Sequence, residues 1–552
     1  MAPGSAWGSP HPRRFRRAPG ARPTFANQRS DPMADTRAAP MVETPTVGAA
    51  SSGNAFLLAI TAVMAVAGFL YGYDTGIISG ALLQITQEFG LGHRMQEVVT
   101  ASILVGAVLG ALGTGWLSER IGRRRTVMVV ATVFCLGALA SSLARSPLEL
   151  SLSRVFLGLA VGGSSQVVPV YIAELAPAAR RGRLVITFNL AIGIGILLAN
   201  VVGVALHGLW SWRMMIAVAI LPAALLLLAM LRLPESPRWL VGADRPREAR
   251  EVLSSVRGDE RQARAELREI HRVARRERDA AERGWGALAQ PWLRPALVAA
   301  LGVAAFTQLS GLEMMIYYTP TILAGAGFSQ SVALWSSLSL AVMYVIMTFI
   351  GRSIVDRVGR RGLMLVMIPG TVVTLLVLGG LFKAGMATDE HAWLVVGCLL
   401  LFMLFNAGGI QVVGWLLGSE MFPLSVRGKA SSAHAATLWG SNLLVTATAL
   451  SLVHYAGVHG MMWTYAALNL TSFVFVLKRV PETRGRTLEE IETSLREGGF
   501  LPGRQRGEAP AGHDALAAPP GLTGPAAPWG RAGSGIPEVA LGGSAASLAP
   551  KE

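Results

Sequence analysis

Charge, cysteine and aromatic side chains are all scarce in this sequence. Only 15% of its 552 residues are Asp, Glu, Lys or Arg and 7% are aromatic, while 52% are hydrophobic, more apolar surface than a soluble chain of this size can hide in its cores. The two cysteines, Cys135 and Cys398, both fall inside apolar runs, so no disulfide framework is implied. No cluster offers a nucleophile beside a base, a set of metal ligands or a phosphate-binding glycine loop, so the chain reads as no enzyme, with no cofactor and no metal. Acids are outnumbered by bases, 34 to 49, which gives a net charge of +15. Such a surplus can mark a nucleic-acid partner, and only the placement of the bases decides the matter.

What is present is apolar length. Twelve runs, at about 55–82, 96–118, 126–145, 149–172, 184–206, 212–231, 295–324, 332–353, 363–383, 392–418, 429–453 and 460–478, come near or exceed the roughly 20 residues that a membrane-spanning helix requires. Basic residues collect at Arg120 to Arg125, Arg180 to Arg183, Arg352 to Arg361 and Arg427 to Lys429, always on the same side, whereas Gly90 to Gln96 and Ala384 to His391 carry few. By the positive-inside rule both termini and the long middle loop are cytoplasmic. The charge therefore reports topology, and no nucleic acid is expected. Residues 1–53 and 503–552, rich in Arg, Pro, Gly, Ala and Ser, read as disordered tails. The first lacks the apolar stretch of a signal peptide, and Asp31, Asp35 and Glu43 weigh against a transit peptide. An over-long start would also account for it.

The chain repeats itself. Gly115 to Arg124, with Glu119, Arg120, Gly122, Arg123 and Arg124, returns roughly 240 residues later as Gly351 to Arg361, with Asp356, Arg357, Gly359, Arg360 and Arg361. Glu174 and Arg181 match Glu420 and Arg427, Pro234-Glu235 matches Pro481-Glu482, and Gly72-Tyr73-Asp74 matches Gly311-Leu312-Glu313. Duplicated six-helix halves follow. Asp74 lies inside an apolar run, where an ionised group costs roughly 2.5–3.5 kcal/mol on insertion scales and needs a partner, a proton or a wet cavity. Arg154 lies inside another, and at about 1.5 Å per residue the two depths differ by about one helical turn, so the pair can meet.

Together these motifs, with Arg154, Gly158 and Gly162-Gly163, Pro169-Val170-Tyr171, Pro234 to Leu240 and Pro481 to Glu490, resemble the sugar porter family of the major facilitator superfamily over about residues 55–495. The resemblance implies an all-α membrane protein of twelve transmembrane helices in two six-helix bundles, with cytoplasmic helices between them. The expected boundaries are a tail over 1–53, bundles over 54–232 and 294–480, linker helices over 233–293, a C-terminal motif over 481–502 and a tail over 503–552. It also implies a proton couple at Asp74 and Arg154, whose static reading is a buried ion pair that only fixes packing.

A sugar site needs acceptors and donors beside a flat aromatic face. By family position the candidates are Asn189, Thr307, Gln308, Glu313, Tyr317, Tyr318, Tyr344, Gln411, Trp415, Trp439 and Asn442. Several depart from the family pattern. Thr307 replaces a Gln, Glu313 an Asn, Asn189 a Gln and Tyr344 an Asn, and Gln411-Val412 stands where a Gly-Pro is usual. Glu313 reads as an acceptor for substrate hydroxyls or an amino group, as a second titrating site, or as a carboxylate held by Tyr317. Glu119, Arg120, Arg123, Arg124, Glu174, Arg181, Asp356, Arg357, Arg360, Arg361, Glu420 and Arg427 stand where the family forms its cytoplasmic gate; snorkelling toward lipid phosphates is the plainer role.

The expectation is a proton-coupled importer of a sugar or polyol, working as a monomer in the cell membrane. A facilitative uniporter, a non-transporting sugar receptor and a proton-exchange exporter are the alternatives.

Overall fold

The structure, a computed structural model, describes residues 47–176, 181–206, 208–257, 259–279, 285–423, 426–486 and 488–500. Among these, eleven helices are long and apolar enough to cross a membrane. In the first half they are spans 1 to 6: Ile60–Phe89, His93–Ile121, Arg123–Ser142, Pro147–Leu175, Thr187–Ala205 and Trp212–Met230. In the second half they are spans 7 to 10, Pro291–Gly325, Gln330–Val358, Arg360–Lys383 and Asp389–Gly418, and span 12 within Ala449–Arg479. Span 11 is the helix Arg427–Thr446, whose apolar character is diluted by Ser431, Ser432, His434 and Asn442. At Gly457 the backbone leaves helical geometry, with φ 70° and ψ 170°, and that corner separates the tail of span 11 from span 12. The expected tails lie outside the described residues, except that the first helix already begins at Val47.

Large apolar side chains point outward, as lipid-facing surfaces require. Leu109, Trp116, Leu152, Leu221, Phe349, Val366 and Leu401 are all exposed. Inside each half, small residues let backbones approach closely. A β-carbon on Gly72 would run into the Ile192 carbonyl oxygen of span 5, and one on Gly162 into the Ala107 carbonyl of span 2. The first of these contacts seats span 1 against span 5 two residues before Asp74, and the second seats span 4 two turns after Arg154.

Two spans expected to be continuous are broken. Span 7 consists of Arg294–Leu309 and Leu312–Gly325, joined through Gly311 at φ 90°, a left-handed conformation that glycine tolerates. The carbonyl of Ser310 released by the break accepts a hydrogen bond from Asn469 Nδ2 at 3.0 Å. Span 10 consists of Ala392–Ala407 and Ile410–Glu420, divided at Gly408-Gly409. Irregular backbone at this depth is tolerated where it is buried in protein or borders a cavity.

Between the halves run helices Pro237–Gly242, Pro246–Arg257 and Glu260–Asp279, with a small core of Leu240, Ala249, Leu253, Ala263 and Ile270. Arg257 fixes them to the first half by donating to the Leu175 carbonyl at the end of span 4, at 2.8 Å.

Candidate functional site

Asp74 and Arg154 meet deep in the first half. Arg154 Nη2 lies 3.5 Å from Asp74 Oδ2, and the arginine side chain is 0% exposed. Arg154 Nε donates to the Val99 carbonyl at 3.0 Å, while neither terminal nitrogen makes a hydrogen bond. Charge-assisted bonds usually measure about 2.7–2.9 Å, so this contact is a Coulombic pairing without a tight directional bond.

Asp74 does not open onto the central cavity; its neighbours do. Tyr71 and Thr75, one helical turn apart on span 1, line a cavity of about 220 Å³, and the helical rotation between them turns Asp74 aside toward span 4. Span 5 contributes Asn189, the second piece of span 7 contributes Glu313, span 8 contributes Tyr344 and Thr348, and the second piece of span 10 contributes Gln411 and Trp415. The breaks in spans 7 and 10 place these last groups. Glu313 falls in the first turn after Gly311, and Gln411 in the first turn after Gly409. Glu313 is 4% exposed and its Oε2 has no hydrogen-bond partner.

Other residues assigned to substrate binding stand elsewhere. The Thr307 hydroxyl donates to the Val303 carbonyl at 2.7 Å and packs on Gly414, which makes it a seam between spans 7 and 10. Tyr318 donates to the Thr446 carbonyl at 2.9 Å, and Asn442 Oδ1 accepts from the Thr446 hydroxyl at 3.0 Å, so both serve the last turn of span 11. Trp439 packs on Tyr71 with ring centroids 5.3 Å apart and ring planes tilted by 59°, and donates to the Ser165 hydroxyl at 3.2 Å, behind the cavity wall. Gln308 and Tyr317 are buried off the lining. Tyr317 does not hold the Glu313 carboxylate by a hydrogen bond; it sits beside Thr75, within electrostatic reach of both Glu313 and Asp74. Tyr71, Thr75 and Thr348 were missed as lining groups, although the first two flank Asp74 in its motif.

At the arginine-rich end the two halves repeat one design. Arg123 pairs with Glu174 at 3.0 Å and Arg360 with Glu420 at 2.7 Å. Glu235 accepts the backbone N–H groups of Arg123 and Arg124, and Glu482 those of Arg360 and Arg361, so each carboxylate caps the start of a span. Gly122 at φ 97° and Gly359 at φ 91° make the sharp corner that allows it. The second arginine of each pair closes the end of another span: Arg124 donates to the Leu231 carbonyl and Arg361 to that of Leu477.

The copies differ at one point. Asp356 adds a 3.0 Å bridge to Arg360, while among the described residues Glu119 forms no ion pair and offers its carbonyl to the Trp239 indole. Arg120 lies over the Trp116 ring and Arg357 is exposed. The Arg181 and Arg427 side chains lie outside the described residues. Every ion pair described at this end joins residues of one half, and Asp356, Arg360 and Glu420 also border the cavity.

At the opposite end the halves hold each other. Glu97 of span 2 accepts from the Ser451 backbone N–H and from its hydroxyl, both at 2.6 Å. His93 stacks on His454 with centroids 4.3 Å apart, and Arg94 donates to the Tyr455 hydroxyl at 3.1 Å. None of these residues stood out in the sequence, where they pass for ordinary polar span ends.

Two broken helices around a cavity lined by aromatic, aliphatic and polar groups, with duplicated halves bonded to each other at one end and each ion-paired within itself at the other, define a membrane carrier of the major facilitator fold. The family described as "Sugar (and other) transporter" matches residues 60–495, and the chain belongs to it. It is 37% identical over 434 residues to a D-xylose transporter of Levilactobacillus brevis, covering 78% of this chain and 94% of that one. It is 36% identical over 444 residues to an arabinose-proton symporter of Escherichia coli (strain K12), covering 80% and 93%. Among solved structures it resembles the proton:xylose symporter XylE bound to 6-bromo-6-deoxy-D-glucose, with TM-score 0.68 and 28% identity over 80% of this chain and 99% of that one. A partially occluded inward-open conformation of XylE from E. coli gives TM-score 0.69 and 26% identity, covering 79% and 100%.

Proposed function

We propose that this protein is a proton-coupled symporter that imports a sugar or polyol across the cell membrane by alternating access. The observation that carries this reading is the Asp74–Arg154 pair, buried within the first half and withdrawn from the cavity. The symporters among the relatives support it. A proton arriving on Asp74 removes the charge that holds Arg154. The guanidinium then keeps only its bond to Val99, the packing of spans 1, 2 and 4 changes, and the balance between outward- and inward-facing arrangements moves with it.

The moving bodies are the bundles over 54–232 and 294–480, carried as a monomer with both termini in the cytoplasm. With the arginine-rich end on the cytoplasmic side, the described state is inward-facing. Asn189, Glu313, Tyr344 and Gln411 offer hydrogen bonds to hydroxyls, and Trp415 offers a flat face to a ring. The gate residues at the cytoplasmic end close when the halves rock.

The test is solute-driven proton movement in proteoliposomes. A pH electrode should register alkalinisation outside when a substrate enters de-energised vesicles. Entry without any pH change would leave a facilitative uniporter in its place.

A further inference from the structure

We propose that the central cavity takes a solute bearing a protonated amine, an amino sugar or amino polyol, with Glu313 as its counter-charge. This rests on the transport reading and adds a substrate class to it.

The cavity lining carries three carboxylates, Glu313, Asp356 and Glu420, against a single guanidinium, Arg360. That guanidinium is already committed to Glu420 at 2.7 Å and Asp356 at 3.0 Å, both at the arginine-rich end. Asp74, the repeat counterpart of Glu313, has Arg154 for itself. Glu313 is left. It is 4% exposed, shares the cavity lining with Tyr71, Tyr344 and Gln411, and has an oxygen with no hydrogen-bond partner. Tyrosines, amides and hydroxyls suffice to bind neutral hydroxyl groups, and the same wall supplies them. A carboxylate added to that set brings, once ionised, a full charge which no lining group near it offsets, and without a cationic partner such a buried acid holds a proton instead. A buried charge left unpaired is costly, and an excess of one sign in a narrow cleft concentrates ions of the other. An ammonium group satisfies both demands, donating up to three charge-assisted hydrogen bonds where a hydroxyl donates one neutral bond.

The full chain in proteoliposomes is tested by counterflow with three labelled probes: D-glucosamine, D-glucose and N-acetyl-D-glucosamine. The expected result is a preference of about tenfold or more for the free amine over both neutral probes, the size of one well-placed charge-assisted contact. Acetylation removes the charge while keeping the ring, so the unmodified protein alone can decide the point if a variant fails to fold. In Glu313→Gln the amine-to-neutral ratio should fall to near unity, and Glu313→Asp should keep part of it. Proton-coupled uptake of neutral probes with the amine excluded or unfavoured would overturn this inference and leave symport standing. An unchanged ratio in Glu313→Gln, with proton uptake per solute altered instead, would overturn it in favour of a titrating site. Failure of the amine probe to move, while D-xylose or another neutral solute does, would overturn this inference and leave the transport reading standing.

Discussion

The two ends of this molecule are built from similar residues and bonded in opposite ways. At the arginine-rich end, Arg123–Glu174 and Arg360–Glu420 close on themselves within each half, and the cavity reaches between them. At the other end, Glu97–Ser451 and His93–His454 run from one half to the other. Interactions within a body strengthen it without choosing its orientation; interactions between bodies choose the orientation. The difference makes one end a brace and the other a latch, and substitutions should separate the two.

The largest effect is expected at the pair buried between the two ends. Arg154→Ala removes the counter-charge of Asp74. The carboxyl can then hold its proton and so avoid the cost of a stranded buried charge, about 3–5 kcal/mol, and accumulation driven by a pH gradient should be lost while folded protein is still recovered. Asp74→Asn keeps the shape; uphill accumulation driven by a pH gradient should vanish while counterflow continues. Gradient-driven accumulation that survives Asp74→Asn would end the coupling reading.

Next comes the latch. Glu97→Ala removes two hydrogen bonds that join the halves, each worth about 0.5–1.5 kcal/mol or more, and should move the population toward the outward-open arrangement by about tenfold. Spin labels on spans 2 and 11 at that end should report longer distances. An unchanged distribution would show that the contact is incidental.

Bracing predicts less. Arg123→Ala removes one partly exposed pair and Arg360→Ala two, each pair worth about 1 kcal/mol or less after solvent screening, and both should lower the melting temperature by a few degrees with the spin-label distances little changed. A large change in those distances would make these residues latches as well.

The smallest effect concerns the linker. Hydrogen bonds from Ser254, Arg264 and Arg250 hold the Glu260 carboxyl well below its ordinary 4.5, at about 2. Because the folded form binds that proton more weakly, its contribution is complete above pH 4.5 and disappears as pH falls toward 2. Resistance of the linker helices 237–279 to denaturant should therefore fall over that interval and stay flat near neutrality, and Glu260→Gln should remove the acid step.

Much of this arrangement could be read from the chain because membranes make charge conspicuous. Asp74 and Arg154 each interrupt an apolar run, and helical rise alone set them within about one turn of each other in depth. Duplication made the arginine corners visible, although the capping role of Glu235 and Glu482 needed the coordinates. Direction was harder. Thr307, Tyr318 and Asn442 are polar residues on the expected helices, but which neighbour a helix face meets depends on breaks and tilts that no local pattern encodes. Glu97 and His93 were overlooked for the opposite reason: at a span end polarity is ordinary, and only a partner from the distant half gives it meaning.

The duplicated corners also bear on how the chain is made. Glu235 leaves the ribosome after span 6, and Glu482 only after span 12, yet each supplies the last acceptor for amides laid down more than a hundred residues earlier. The first half can therefore settle while the second is still being synthesised, and the second waits for its final carboxylate. A truncation just short of Glu482 would leave all six later spans in the bilayer but unlocked, and exposed to quality-control proteases.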